Sequence, residues 1–174
     1  MMDQILNFFN SPFMTIVGGF STLIVITSAI YAIWCILTGV VPVWIRLGEG
    51  LSKSTIAIFS ESQYSSLKNM IVDSKIFKEK NIMHITKQDL KKAASASIFL
   101  VHWKDFQSDM HNILALKRDN TALIIYAPQN EGRIEDQELL NKIDRERNSV
   151  LVNFRGRLMN DILTSLITVN YEQR

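Results

Sequence analysis

Apolar and polar positions divide this chain into two parts with different patterns. Residues 13–45 form a run of 33 residues without a charged side chain. Residues 55–174 instead alternate short apolar runs with polar segments of helical spacing. A bilayer core of about 30 Å needs about 20 helical residues to cross it. The first part therefore predicts a transmembrane segment over residues 13–45, with the span near Met14–Thr38, and the second part predicts a folded domain.

Three other interpretations of the apolar run fit the sequence less well. Two crossings would need about 40 residues and a turn, which the run does not supply. A cleavable signal peptide has a basic start, a shorter apolar stretch and an A-x-A site, and the sequence shows none of them. A core helix of a globular domain is much shorter. Gly39 and Pro42 predict a bend at the end of the span.

Charge predicts the orientation of the span. Asp3 is the one charged residue before Arg46, whereas all 19 lysines and arginines lie in residues 46–174. Positively charged flanks stay on the cytoplasmic side. We therefore expect a single-pass inner-membrane protein with its N-terminus outside and its C-terminal domain in the cytoplasm. Residues 1–12 predict an interfacial helix, and residues 46–54 predict a linker rich in glycine and serine.

Small and hydroxylated side chains repeat along one face of the predicted span. They recur at intervals of seven residues, and Cys35 continues one of the two series. Such residues let membrane helices approach closely and form hydrogen bonds. The pattern predicts that the protein forms a homo-oligomer. If this face of the helix lines a central axis, it also predicts an ion pathway. The alternative is that small residues are simply common in membrane helices. The predicted packing or pore face consists of Thr15, Gly18, Ser21, Thr22, Ser28 and Ala29.

The alternation of patterns after residue 54 predicts an α/β fold. Short apolar runs flanked by polar loops are typical of strands covered on both faces, and strands alternating with helices predict a parallel sheet. We expect a flavodoxin-like, Rossmann-like domain over residues 55–174, with five mostly parallel strands; an antiparallel edge strand is the alternative. The predicted strands are Thr55–Phe59, Ile82–Ile85, Ile98–Trp103, Ala122–Ala127 and Val150–Phe154, and the predicted helices are Tyr64–Lys80, Lys87–Ser95, Met110–Lys117, Glu135–Arg147 and Arg157–Tyr171.

Candidate ligand-binding residues follow from this fold. Ligands of open parallel sheets bind beyond the carboxyl ends of the strands. Arginines at a strand-to-helix turn favour a phosphate; alternatively, Arg155 and Arg157 pair with Asp161 or Glu146 on the surface. We interpret His102 as structural rather than catalytic. The predicted ligand-binding residues are Ser60, Glu61, Ser62, Gln63, His102, Trp103, Lys104, Arg155, Arg157 and Asn160.

Composition and motif searches exclude several classes of protein. A single cysteine, Cys35, excludes a disulfide scaffold and a cysteine-based zinc site. The sequence contains no P-loop and no dinucleotide fingerprint. A sequence pI of 8.7 with mixed charges gives no reason to expect double-stranded nucleic acid as a partner. Glu61 and Asp105 lie near the acidic positions of a receiver domain, but Asp105 follows two residues after the apolar run. We predict no catalytic residue, metal or cofactor.

Two stretches carry a resemblance to a known family. TIAIFSES, which starts at Thr55, and AASASIFLVHW, which ends at Trp103, resemble the strands and the serine-containing loop of Toll/interleukin-receptor-like (TIR-like) domains. The resemblance implies NAD cleavage where a glutamate stands on the helix after the second stretch. Here Asp109 and His111 occupy that region, and the next glutamate is Glu131. The pairing of a membrane helix with such a domain also resembles effectors of bacterial antiphage nucleotide signalling.

These patterns lead to three hypotheses about function. The first is an oligomeric inner-membrane effector or sensor whose cytoplasmic domain binds an anionic nucleotide second messenger and controls the packing of the membrane helices, as a membrane-disrupting protein or an ion channel. The second is a membrane-anchored TIR-like hydrolase of NAD or a nucleotide. The third is an assembly protein without enzymatic activity.

Overall fold

The fold was derived as a computed structural model that describes residues 12–41, 48, 50–131 and 134–172. The predicted interfacial helix lies outside these residues except for Pro12, and Pro42 also lies outside them. The chain separates into two compact units, Met1–Arg46 and Leu47–Arg174. Each unit is described separately below.

The first unit contains one long apolar helix. Helix α1 spans Pro12–Cys35 and continues as a wider π-helical turn over Ile36–Val40. The segment Ile16–Val40 has a mean hydropathy of 2.2, and none of it is buried. Large side chains such as Phe20 and Trp34 are about two-thirds exposed. By length and composition this helix could cross a membrane, and a signal sequence would pass the same test.

Threonines of α1 form hydrogen bonds within the helix. The Thr22 hydroxyl donates to the Gly18 carbonyl at 2.8 Å, and the Thr27 hydroxyl donates to the Leu23 carbonyl at 2.7 Å. Side-chain bonds to the carbonyl four residues earlier are common for threonine in helices. The Thr22 proton is therefore used inside its own helix. Gly18, Ser21, Thr22, Ser28 and Ala29 of the predicted face are exposed, whereas the side chain of Thr15 lies outside the described part.

The second unit is built on a five-stranded parallel sheet. The strand order is β2-β1-β3-β4-β5, and all four pairings are parallel. This confirms the predicted flavodoxin-like α/β fold, and the alternative of an antiparallel edge strand is wrong. The strands are β1 Ile56–Phe59, β2 Ile82–Ile85, β3 Ile98–His102, β4 Ala122–Tyr126 and β5 Ser149–Val152.

Helices cover both faces of the sheet. The helices that follow β1 and β5 pack on the face that contains Ile56 and Ile58, and the three helices between β3 and β5 pack on the face that contains Phe59. Side chains alternate between the faces along a strand, so β1, β3 and β4 are buried on both sides and consist almost entirely of apolar residues. The helices are α2 Tyr64–Asp73, α3 Trp103–Phe106, α4 Met110–Leu116, α5 Gln137–Arg145 and α6 Arg155–Glu172.

Two of the predicted helices differ clearly from the observed ones, one in its length and the other in its type. The helix after β1 ends at Asp73 instead of Lys80, because Lys75 has a φ of 57°, a left-handed conformation that a helix does not accommodate. The predicted helix Lys87–Ser95 is a 3₁₀ segment, Leu90–Ser95. Further 3₁₀ turns occur at Glu79–Asn81, Gln107–Asp109 and Gln129–Glu131.

Candidate functional site

The carboxyl ends of β1 and β3 meet at the point where the strand order reverses. The chain passes from β1 to β2 on one side and reaches β3 on the other. In open parallel sheets this reversal opens a crevice, where ligands commonly bind. The residues that fill the crevice here come from the loops after β1, β3 and β4.

Ser60 anchors the loop that joins β1 to α2. Its side chain is fully buried, and its hydroxyl oxygen accepts a hydrogen bond from the Gln63 N–H at 2.9 Å. The hydroxyl donates to Asp105 Oδ2 at 2.9 Å. Ser60 therefore fixes the turn before α2 and links it to the segment after β3.

Asp105 is the centre of the network. Its Oδ2 accepts hydrogen bonds from the backbone N–H groups of Glu61 and Ser62 at 2.8 and 2.9 Å, and the Ser62 hydroxyl lies 2.9 Å from each carboxylate oxygen. Paired backbone N–H groups at a strand-to-helix turn are an anion cradle. In this chain the cradle is filled by the protein's own carboxylate.

The surroundings of Asp105 favour its charged form. Burial raises the pKa of this carboxyl, but the hydrogen bonds from Ser62 and Ser60 and the adjacent imidazole of His102 act in the opposite direction and together outweigh burial. The pKa of Asp105 therefore lies well below its ordinary value. The carboxylate is ionised at neutral pH, as an acceptor of several N–H and O–H groups has to be.

His102 lies between two carboxylates. Its imidazole is fully buried, with Nδ1 2.9 Å from Asp105 Oδ2 and Nε2 2.8 Å from Glu131 Oε2. Neither ring nitrogen has the alignment of a hydrogen bond, so both are close contacts between the imidazole and a carboxylate. Glu131 also accepts a hydrogen bond from the Gln63 side-chain amide at 2.6 Å. The loop after β1 is thus joined to the segment after β3 through Asp105 and to the loop after β4 through Glu131, and His102 lies between these two carboxylates.

A second histidine borders the network on the side of β2. His84 Nε2 lies 2.8 Å from the Ser60 carbonyl oxygen, and its ring stacks on Tyr64 with centroids 3.8 Å apart. This contact ties β2 to the start of α2.

We call the six residues Ser60, Ser62, Gln63, His102, Asp105 and Glu131 the carboxyl-edge network.

The predicted residues near β5 have their own contacts. Arg155 begins α6 and donates from one guanidinium nitrogen to the carbonyl and the hydroxyl of Ser66, at 3.0 and 2.6 Å. Arg157 is 73% exposed and lies 3.8 Å from Asp161. The predicted surface pairing of Arg157 with Asp161 is therefore present, whereas Arg155 binds α2. The predicted turn Arg155–Arg157 belongs to the first turn of α6.

The other predicted ligand residues lie at the surface or beside a depression. Glu61, Lys104 and Asn160 are exposed. Trp103 is 7% exposed and borders an open depression of about 490 Å³. The depression is lined by Trp103, Gln107, Ser108, Glu135, Asp136 and Leu139. Because two of these residues are acidic, this depression does not suit an anion.

Asp105 and Glu131 are the residues that the sequence prediction missed. Each follows a strand by a few positions, within HWKD after β3 and PQNE after β4. A rule that collects all polar residues in the loops after neighbouring strands would have included both. Among the described residues, no group of three or more His, Cys, Asp or Glu side chains is arranged to hold a metal ion.

The fold and the network define a flavodoxin-like α/β protein with an exposed apolar helix before its sheet. No protein family, curated protein or solved structure matches the chain.

Proposed function

We propose that this chain is a single-pass inner-membrane effector whose apolar helices self-associate and whose cytoplasmic α/β unit controls their packing. The observation that best supports this proposal is that the segment Ile16–Val40 has a mean hydropathy of 2.2 and no buried part. An exposed apolar surface of this size is unfavourable in water and favourable in lipid. The uncharged run of 33 residues over 13–45 is longer than the apolar stretch of a signal peptide, which favours a retained span.

The buried position of His102 in the α/β unit favours a role in binding over a role in catalysis. His102 is fully buried, so a substrate arriving from solvent does not contact its ring. Asp105 already accepts from the two serine hydroxyls and Glu131 from the Gln63 amide, which gives the network the role of holding three loops together. The hydrolase alternative needs an accessible acid or base, and the network does not offer His102 in that role.

The proposed ligand is anionic and nucleotide-like, and we place it at the start of α6. The N–H cradle after β1 is filled by Asp105, which leaves less room there for a phosphate. Arg157 is exposed, and its contact with Asp161 is long, so its guanidinium is open to a stronger anion. Asn160, one turn further along α6, is exposed as well. Ligand binding here would act on the loops that the network joins.

The native cysteine offers a direct test of helix association. Cys35 is exposed and continues the series of Ser21 and Ser28. We expect copper-phenanthroline oxidation of the full-length chain in membranes to give a disulfide-linked dimer through Cys35. The matched control carries Cys35→Ser with Ile33→Cys, which moves the thiol roughly 200° around the helix. Equal cross-linking of both proteins, or cross-linking of neither, would contradict the proposed packing face.

The same assay tests control by a ligand. Cross-linking is repeated with a panel of mono-, di- and cyclic nucleotides, and we expect one class to change the yield several-fold. Arg157→Ala should remove that response, and Arg147→Ala should retain it. If no nucleotide changes the yield while Cys35 still cross-links, the nucleotide ligand is wrong and helix association stands.

A further inference from the structure

Charges are distributed unequally between the two edges of the sheet. Because all strands are parallel, the connections that precede them meet at one edge, here called the amino edge, which comprises residues 50–55, 73–81, 94–97, 117–121 and 144–148. Basic residues outnumber acidic ones there. The basic residues are Lys53, Lys75, Lys78, Lys80, Lys117, Arg118, Arg145 and Arg147, and the acidic ones are Asp73, Glu79, Asp119, Asp144 and Glu146.

The opposite edge has the reverse balance. The described segments after the strands, residues 60–63, 86–89, 103–109, 127–131, 134–136 and 153–157, carry more acidic than basic residues. The acidic residues are Glu61, Asp89, Asp105, Asp109, Glu131, Glu135 and Asp136, and the basic ones are Lys87, Lys104, Arg155 and Arg157. The α/β unit is therefore electrically polar along its strands, positive where strands begin and negative where they end.

The positive charge of the amino edge is concentrated between α2 and β2. Lys75, Lys78 and Lys80 are all exposed within six residues. The acidic residue between them, Glu79, is already neutralised by Lys68, whose Nζ lies 2.6 Å from its carboxylate. With Glu79 engaged by Lys68, this segment presents three lysines against one further acidic residue, Asp73, which is a net local attraction for anions.

We propose that the amino edge docks on anionic lipid headgroups of the membrane that the apolar helix crosses. This inference rests on the proposed membrane anchoring. Charge complementarity is the first argument, since the cytoplasmic leaflet is negative and attracts basic segments close to a span. Connectivity is the second, because Val41 and Ile56 are separated by fourteen residues and the chain enters the unit at this same edge. Docking would turn the opposite edge of the sheet, which carries the carboxyl-edge network and Arg157, towards the cytoplasm.

The experiment is hydrogen exchange of the full-length chain in nanodiscs. One set contains phosphatidylcholine alone and the other contains phosphatidylcholine with phosphatidylserine. We expect slower exchange of residues 74–81 in the anionic discs only, with the difference lost at high salt. Lys78→Gln with Lys80→Gln should abolish the difference, since each charge is worth about fivefold in lipid association. The matched control is Lys87→Gln with Lys104→Gln, which removes two exposed lysines of the opposite edge and should behave as the parent.

The outcomes separate this inference from the proposed function. A chain that inserts into both kinds of disc without any difference at residues 74–81 overturns lipid docking and leaves the membrane anchor intact. A chain that inserts into neither overturns both. A third sample contains neutral discs with soluble glycerophosphoserine. If residues 74–81 are protected there as strongly as in the anionic discs, the amino edge binds a free anion instead of a lipid surface, and the proposal is overturned.

Discussion

Replacing Asp105 with asparagine is expected to lower the free energy of unfolding by about 3 kcal/mol. Four donors, the N–H groups of Glu61 and Ser62 and two serine hydroxyls, converge on the single oxygen Oδ2, and a neutral amide oxygen accepts hydrogen bonds more weakly than a charged carboxylate oxygen. The substitution also removes one of the two anionic neighbours of the buried His102. Urea unfolding of the full-length chain in detergent, followed by circular dichroism, measures the loss.

Asp119→Asn is the matched control for this substitution. It makes the same chemical change at an exposed residue of the opposite edge, and surface changes of this kind usually stay within about 0.5 kcal/mol. A similar loss for both variants would show that Asp105 is not the centre of a stabilising network.

The loss of folding stability at acidic pH gives a second measure of the contribution of Asp105. Its pKa is lower in the folded chain than in the unfolded one, where an ordinary value of about 4 applies. The stability that it contributes is therefore fully present above that ordinary value, and it is lost as the pH falls towards the lowered pKa of the folded state. The parent should lose stability on acidification below about pH 4, and Asp105→Asn should lack this component.

Two aspartates placed in the apolar helix are expected to prevent membrane insertion. Leu23→Asp with Ile30→Asp adds roughly 5–7 kcal/mol to the cost of insertion, because each acidic residue near the centre of a span costs about 2.5–3.5 kcal/mol. We expect the variant to leave the membrane fraction or to be degraded. Alkaline extraction of membranes with immunoblotting of both fractions measures the change.

The control for the insertion test makes the same substitutions on the α/β unit. Ile76 and Leu151 are 39% and 45% exposed, so Ile76→Asp with Leu151→Asp puts two aspartates at partly solvated positions. This variant should remain in the membrane fraction. Retention of both variants would mean that something other than the apolar helix holds the chain there.

Much of the fold follows from the sequence because burial on both faces leaves a direct signature. The runs IAIF, IFLV and ALIIY contain no polar residue, and they became the three central strands β1, β3 and β4. Edge strands have weaker signatures, since β2 contains the exposed His84 and β5 the exposed Leu151. Even so, the alternation with helices was sufficient to predict both.

The details that could not be predicted depend on local conformation and on contacts distant in sequence. The early end of α2 depends on the left-handed conformation of Lys75, a residue type with no preference for it. The sequence predicted that Ser60, Ser62, Gln63 and His102 lie at the carboxyl ends of strands, and the structure has them there, whereas their role in ligand binding stays a prediction. The site prediction missed Asp105 and Glu131, because the pairing of a histidine with carboxylates 3 and 29 positions away becomes visible only when the loops are placed together.

The most direct test of the proposed membrane topology is protease protection of the full-length chain in bacterial membranes. In inverted inner-membrane vesicles, we expect added protease to remove the α/β unit and leave a short fragment containing Ile16–Val40 that resists alkaline extraction. In intact spheroplasts, the α/β unit should be protected. Recovery of the intact chain in the alkaline extract, or digestion of the α/β unit in spheroplasts but not in inverted vesicles, would contradict a single span with a cytoplasmic α/β unit.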